Sequence, residues 1–145
     1  MVVVVIIGLL AAIAIPAFTH IRLNAQNTRF YNDLRVFKDT LEIYLTEHET
    51  PPPDETPGDM PPDLAPYLTA SADFTQTPIG GVWDYENWIG SGNAHVKIGM
   101  SVYRPKRTVE QMRALDGRFD DGSLSSGKLV ESTGRVYTYV LIPPE

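Results

Sequence analysis

The sequence has no cysteine, no charged side chain before Arg22 and no dense cluster of basic residues. Without cysteine, the chain cannot form a disulfide, a thiolate nucleophile or a cysteine-ligated zinc site. It also lacks a Gly-x-Ser-x-Gly elbow, a phosphate-binding glycine loop and a dinucleotide fingerprint, so no motif supports an enzyme. The net charge is −6, and with no basic cluster we expect no nucleic-acid partner.

What the chain does have is an apolar run that fills almost all of the first 21 residues. As a helix this run is roughly 31 Å long at ~1.5 Å per residue, about the thickness of the hydrocarbon core of a bilayer. A helix that is apolar on every face must be buried in lipid or in other protein. A secretory signal peptide is the alternative, but its apolar region is usually only ~7–15 residues long.

After Phe18 the pattern becomes amphipathic, with apolar residues recurring every three or four positions. No glycine or proline interrupts residues 17–50, and three prolines follow at 51–53. The pattern therefore predicts a single helix of nearly fifty residues that ends at these prolines. Gly8 and Pro16 lie inside its apolar part. They indicate either a kink of the kind that membrane helices tolerate, or a weakly helical stretch that extends when neighbours pack around it.

The segment from Val4 to Phe18, VVIIGLLAAIAIPAF, resembles the stem of type IV pilins and of type II secretion pseudopilins, including the position of the proline. The resemblance implies a filament subunit that waits in the bacterial inner membrane until an assembly machine extracts it. Stems then bundle at the filament centre, and small side chains let their backbones approach closely. The residues assigned to the filament core are Val4, Ile7, Gly8, Ala11, Ala12, Ile15 and Pro16.

The stem departs from the family pattern at its beginning. Family members carry a basic leader, a cleavage-site glycine and a segment with a methylated phenylalanine and a glutamate before the position that matches Met1. These features have no counterpart in this numbering. We expect that Met1 is an internal methionine of a longer gene product. The alternative is a divergent member without the processing site.

Beyond the helix, the sequence predicts a proline-rich loop and a small sheet. Residues 51–66 hold seven of the twelve prolines and four carboxylates, which is typical of an extended surface segment. Gly80-Gly81 leads into a strand near Val82, resembling the sheet entry of major pseudopilins, and 90–93 form a hairpin turn into a strand over 95–103. A helix over 108–115 capped by Thr108 and a last strand over 136–142 follow.

These elements predict an α+β fold, pilin-like, with the long helix packed on a small antiparallel sheet. We divide the chain into a hydrophobic stem at 1–21 and the amphipathic half of the same helix at 22–50. A proline-rich region at 51–78 and a sheet-containing head at 79–145 complete the division.

The segment from Asp116 to Ser123, DGRFDDGS, is the best candidate for a metal site. Calcium takes about six to eight oxygen ligands, which close carboxylates and exposed carbonyls can supply. Major pseudopilins carry calcium in their C-terminal loops, so the resemblance implies a site formed by Asp116, Asp120 and Asp121. The spacing is not that of an EF-hand, however, and Asp-Asp-Gly is also an ordinary turn sequence. Apart from this possible calcium we expect no cofactor.

The sequence thus predicts a structural subunit of a type IV pilus-like filament, a homo-oligomer exposed on the cell surface and served by a pilus or secretion assembly machine. A pseudopilin of the periplasmic pseudopilus is the alternative within this class. An alternative of another class is a monomeric, membrane-tethered binding protein whose acidic head captures a ligand.

Overall fold

The computed structural model describes residues 2–68, 73–89, 96–132 and 134–143. In chain order the elements are α1 (Val2–His48), β1 (Val82–Asn87), β2 (Ile98–Tyr103), α2 (Val109–Phe119), β3 (Leu129–Glu131) and β4 (Val136–Ile142). The strands form one four-stranded antiparallel sheet in the order β1-β2-β4-β3. The predicted α+β class is therefore confirmed.

The apolar and amphipathic stretches form one helix, α1, of 47 residues that continues through Pro16. Neither Gly8 nor Pro16 ends it, although Pro16 cannot donate a hydrogen bond to the carbonyl four residues earlier. One turn beyond the proline, the Thr19 hydroxyl donates to the Ile15 carbonyl at 3.0 Å. The helix ends at His48, and Glu49 turns the chain with a φ of 60°, just before the three prolines.

The amphipathic half of α1 is fixed to the sheet by aromatic stacking. Phe30 lies parallel to Trp83 of β1, with ring centroids 5.0 Å apart. Phe37 meets the same indole edge-on at 5.0 Å and Phe74 at 5.3 Å. Because the strand alternates its faces, Trp83 and Tyr85 point toward α1, while Asp84 and Glu86 point to the opposite face.

The short helix α2 lies across the end of the head that is nearest the stem. Thr108 caps it as predicted: its hydroxyl accepts from the Gln111 N–H, and the Gln111 side chain accepts from the Thr108 N–H. The Arg107 guanidinium donates to the Gln26 side chain at 2.7 Å and that of Arg118 donates to Asn24 at 3.2 Å. Side chains from distant parts of the sequence therefore surround α1 just after the stem.

The structure extends and corrects several sequence expectations. The helix predicted over 108–115 continues to Phe119, and β2 begins at Ile98 rather than at residue 95. Both the expected turn at 90–93 and His95 lie outside the described residues. The sequence missed β3, because three residues are too few to show an alternating pattern.

The proline-rich segment is held against β1 more closely than its composition suggested. Pro52 and Pro61 are buried, and the side chain of Asn87 donates to the Pro52 carbonyl at 2.7 Å. The backbone N–H of Asn87 donates to Asp54 at 3.0 Å. The short turn expected near Asp63 to Leu68 is present, with the Leu68 N–H bonded to the Leu64 carbonyl at 3.2 Å.

We expect Phe37→Ala to lower the free energy of unfolding of the head by about 3–5 kcal/mol, because it opens a cavity between Trp83 and Phe74. The neighbouring Val36→Ala is the matched control: Val36 is half exposed, so its loss costs less than about 1 kcal/mol. Denaturant unfolding of the full chain in mild detergent, followed by tryptophan fluorescence, measures both. Equal effects from the two variants would contradict the proposed anchoring of α1 to the sheet.

Candidate functional site

The first 20 described residues of α1, Val2 to Ile21, project from the head with no other element packed against them. None of the most apolar 18-residue window, whose mean hydropathy is 2.8, is buried. Twelve large apolar side chains in this stem are at least half exposed: Val2, Val3, Val4, Val5, Ile6, Ile7, Leu9, Leu10, Ile13, Ile15, Phe18 and Ile21. The stem is long and apolar enough to span a membrane.

Burial separates this helix from the core helix of a soluble domain. A core helix can have the same length and composition, but the head would cover it, and here the head first contacts α1 at Asn24 and buries its side chains only from Phe30 onward. Burying a large apolar side chain contributes roughly 1.5–3 kcal/mol, so leaving twelve of them in water costs on the order of 20 kcal/mol. The unfolded chain exposes the same side chains, so this free energy does not enter the stability of the head and is available to whatever covers the stem. The exposed stem therefore favours cover by an apolar surface outside its own chain.

The residues assigned to the filament core all lie on this uncovered stem. Val4, Ile7 and Ile15 are 71%, 61% and 67% exposed, and Ala12 and Pro16 are also exposed. Ala11 is half-buried by its helical neighbours. A Cβ built on Gly8 would meet nothing within 4 Å, so nothing inside the single chain requires a glycine there. The open surface at Gly8 has room for a second helix at close distance.

The second candidate is a cluster of three carboxylates where α2 ends. Asp116, Asp120 and Asp121 each offer an oxygen within 4.8 Å of the other two. Asp116 lies in the last turn of α2, and Asp120 follows the helix as its C-cap. Negative charge is unfavourable at a helix C-terminus, because the backbone carbonyls there carry partial negative charge. The cluster therefore concentrates negative charge where the fold stabilises it least.

The surroundings of Asp116 make its ionised form unfavourable. Its side chain is 1% exposed, and neither carboxylate oxygen makes a hydrogen bond of good geometry, although the Gly122 N–H and the Asp121 carboxyl lie close enough to affect its pKa. Burial, followed by the nearby charges of Asp120 and Asp121, raises the pKa of Asp116 to about 6. Burial beside two other carboxylates therefore makes the ionised form of Asp116 unfavourable in this position.

The neighbouring loop orders the other two carboxylates. The Ser123 N–H and the Ser126 hydroxyl donate to Asp121 at 2.8 and 2.9 Å, and they hold its pKa below the usual value. Asp120 accepts from the Lys128 N–H. Gly127 has a φ of 79°, and a Cβ there would collide with Asp120, so the loop closes tightly over the cluster.

These residues fit a hard divalent cation such as calcium. Three carboxylates supply three to six oxygens, and backbone carbonyls or water would complete the six to eight that calcium takes. A bound cation would also give the buried Asp116 the partner that the chain does not provide. The structure therefore brings together the three residues predicted from the sequence, and their donor set suits the ion.

A second carboxylate pair was missed by the sequence analysis. Asp84 and Glu86 project from the same face of β1, and their carboxyl groups are close enough to interact with each other. Glu86 also accepts from the Ser101 hydroxyl at 3.1 Å, and Ser101 is bonded to Thr138 at 2.8 Å. The i, i+2 spacing of two acids in a predicted strand was the available signal for this pair.

Burial raises the pKa of both Asp84 and Glu86. For Asp84 the adjacent Glu86 charge and then Asp54 raise the pKa further, so Asp84 retains a proton well above the normal range for an aspartic acid. The folded state thus binds a proton that the unfolded chain releases above about pH 4. The contribution of Asp84 to the free energy of unfolding is therefore largest below about pH 4, and it falls as the pH rises toward the raised pKa.

Asp84→Asn is expected to raise the melting temperature at pH 7–8, because its amide can donate to Glu86 and never ionises. The gain at pH 7 is at least about 1.4 kcal/mol, the equivalent of one pKa unit, and it vanishes near pH 4. Asp63→Asn, the same change on an exposed turn, is the control. Thermal melts of the full chain from pH 4 to 9 measure the effect, and parallel profiles for the wild type and Asp84→Asn would disprove it.

Comparison of the chain with protein-family models, curated proteins and solved structures finds no match. The similarity to pilins is therefore a likeness in the stem sequence between Val4 and Phe18. The function must be argued from the uncovered stem, the carboxylate cluster and the surface of the head.

Proposed function

We propose that this chain is a structural subunit of a type IV pilus-like filament, held together by its N-terminal stem. The observation that carries the proposal is that one continuous helix has two different surroundings. One face of its second half is buried against its own head, while no described part of the chain covers its first half. Lipid covers such a stem before assembly, and the stems of other copies cover it afterwards.

Physical chemistry makes this exchange inexpensive. Lipid tails are about as apolar as leucine, so a stem that moves from a bilayer into a bundle of stems loses little hydrophobic stabilisation. Close packing then depends on small side chains, and Gly8, Ala11 and Ala12 provide them. The rigid continuation of α1 into the head means that the position of the stem also sets the position of the head.

The proposal gives the chain two locations in turn. It is first a protein of the bacterial inner membrane with its head outside the lipid, and then a subunit of an extracellular filament raised by a pilus or secretion assembly machine. A periplasmic pseudopilus uses the same stem and differs in the length and place of the fibre. A monomeric, membrane-tethered binding protein would need the stem only as an anchor. The small residues Gly8, Ala11 and Ala12 would then have no function in helix packing.

We expect Ile7→Asp and Ala11→Asp to abolish fibres, because a carboxylate in the middle of the stem costs about 2.5–3.5 kcal/mol in an apolar setting. The head should still fold, since none of its described residues covers this stretch. Electron microscopy of sheared cell-surface material detects fibres, and tryptophan fluorescence reports the fold. Fibres of normal number in either variant would contradict the proposal.

Two controls separate assembly from membrane insertion. Ala65→Asp places the same charge on an exposed turn of the head and leaves fibres intact. Ala11→Leu keeps the stem apolar, so the chain still enters the membrane fraction, but the added bulk reduces fibre formation. If wild-type chains remain solitary in cells and in detergent, the tethered binding protein becomes the better explanation.

We further propose that Asp116, Asp120 and Asp121 hold calcium and thereby order the loop after α2. Without calcium, the raised pKa of Asp116 means that its contribution to the free energy of unfolding is largest below about pH 4. This contribution falls as the pH rises to about 6. Calcium reverses this trend, because it binds only the ionised cluster. At a calcium concentration one hundred times the dissociation constant, the gain is about 2.7 kcal/mol.

Melting curves of wild type and Asp116→Asn at pH 7, in chelator and in calcium, test the site. In chelator, Asp116→Asn is expected to melt at a higher temperature than the wild type, because it buries no charge. Its melting temperature should not rise when calcium is added. Calcium should raise the melting temperature of the wild type at pH 7 and raise it much less at pH 5. An equal calcium shift in both proteins would place the ion elsewhere or nowhere.

A further inference from the structure

A cavity of about 390 Å³ lies at the side of the head, between α1 and the segment that precedes β1. Its volume falls in the range of small-molecule sites, which is about 300–1,000 Å³. The proposed filament and calcium site do not involve this cavity, because its described lining residues belong neither to the stem nor to the carboxylate cluster. The cavity is therefore a candidate site for a further function of the head.

The apolar part of the cavity is formed by aromatic and aliphatic side chains. Phe37 of α1 meets Trp83 of β1 edge to face, with 5.0 Å between ring centroids. Leu68 and Val36 also line the cavity, and Val36 is half exposed. Because Trp83 stacks on Phe30 in the core as well, this apolar surface is held in place without a ligand.

Two side chains of opposite charge line the same cavity one helical turn apart. Arg29 and Asp33 are four positions apart on α1, where Cβ atoms are ~5–6 Å from each other. Arg29 is exposed and Asp33 is half-buried. Burial raises the pKa of Asp33, and the Arg29 charge acts in the opposite direction. Neither side chain forms a hydrogen bond or an ion pair with another described residue.

A second acid, Asp73, lines the cavity from the segment before β1, but its carboxylate already has partners. It accepts from the Thr75 hydroxyl and N–H and from the Gln76 side chain, the last at 3.0 Å. Hydrogen bonds from Thr75 hold the pKa of Asp73 below the usual value, so it stays negatively charged. Arg29 and Asp33 are thus the two charged groups of the described lining that remain available to a ligand.

We infer that this cavity binds a free α-amino acid with an apolar side chain. The carboxylate and the ammonium group of such a ligand are attached to one carbon, so charges one helical turn apart can reach both. The Arg29 guanidinium donates to the carboxylate, Asp33 accepts from the ammonium group, and the apolar side chain packs on Phe37. This binding is a property of the head and does not depend on the proposed filament.

Other classes of ligand suit the cavity less well. An anion would face the carboxylates of Asp33 and Asp73, and a cation would leave Arg29 without a partner. An uncharged ligand would cover charged groups without pairing them, which is unfavourable. A zwitterion pairs both signs of charge, and an apolar side chain on it also covers the apolar lining.

Isothermal titration calorimetry of the full chain in mild detergent tests the site, with L-leucine and L-phenylalanine as probes. L-leucinamide lacks the carboxylate and N-acetyl-L-leucine lacks the ammonium group, so they also imitate the two ends of a peptide. Glycine lacks the apolar side chain. L-leucine is expected to bind at least about tenfold more tightly than each of the three, because hydrogen bonds to charged groups contribute that much. The inference is wrong if neither probe binds, or if either charge-blocked analogue binds as tightly as L-leucine.

Two substitutions assign each charged group of the ligand to one residue. Arg29→Gln should weaken the binding of L-leucine about tenfold and have little effect on L-leucinamide, which has no carboxylate. Asp33→Asn should weaken the binding of L-leucine by a similar factor and have little effect on N-acetyl-L-leucine. A Kd for L-leucine that stays unchanged in either variant would overturn the inference, as would the reverse pairing of variants and analogues.

Matched controls lie on the same helix. Arg22→Gln and Asp39→Asn make the same changes at exposed positions outside the cavity and should leave the Kd unchanged. Val36→Trp fills the cavity edge and should abolish binding, whereas Ile43→Trp, at a similarly exposed position away from it, should not. Circular dichroism verifies that each variant folds. Normal binding by Val36→Trp would place the ligand at another site and contradict the inference.

Discussion

The structure depends on one constraint: a single rigid helix is covered by its own chain over only half of its length. The aromatic contacts of Phe30 and Phe37 with Trp83 fix the covered half to the sheet. The uncovered half exposes twelve large apolar side chains, and their burial would release free energy on the order of 20 kcal/mol. The stem is therefore the part of the molecule that favours contact with an apolar surface outside the chain.

Because the stem and the head share the continuous helix α1, the position of the stem sets the position of the head. The head is organised from one end to the other, with α2 and its arginines around the base of α1 and the proline-rich segment packed at the far end. The buried carboxylates at Asp116 and Asp84 are places where the fold retains an electrostatic cost, one at the end of α2 and one on the outer face of β1.

Much of the fold follows from local patterns. Apolar spacing predicted α1, Gly80-Gly81 predicted the entry to β1, and Thr108 predicted the cap of α2. Local sequence patterns did not predict an element when the segment is very short or when contacts with distant residues determine its structure. The three residues of β3 pair with β4 only because the sheet offers an open edge there. The last turn of α2 forms where Phe119 stacks on Tyr31 of α1, at 4.4 Å between centroids.

The sequence by itself determined the long helix, its change from apolar to amphipathic and the candidate carboxylates, because each depends on residues close together in the chain. Only the tertiary structure decided which half of α1 is covered, that both oxygens of Asp116 lack a hydrogen bond of good geometry, and that arginines from α2 and from the loop before it meet at the base of the head. These features depend on contacts between residues up to 94 positions apart. Burial, and with it the cost of a charge, exists only once such distant segments have packed together.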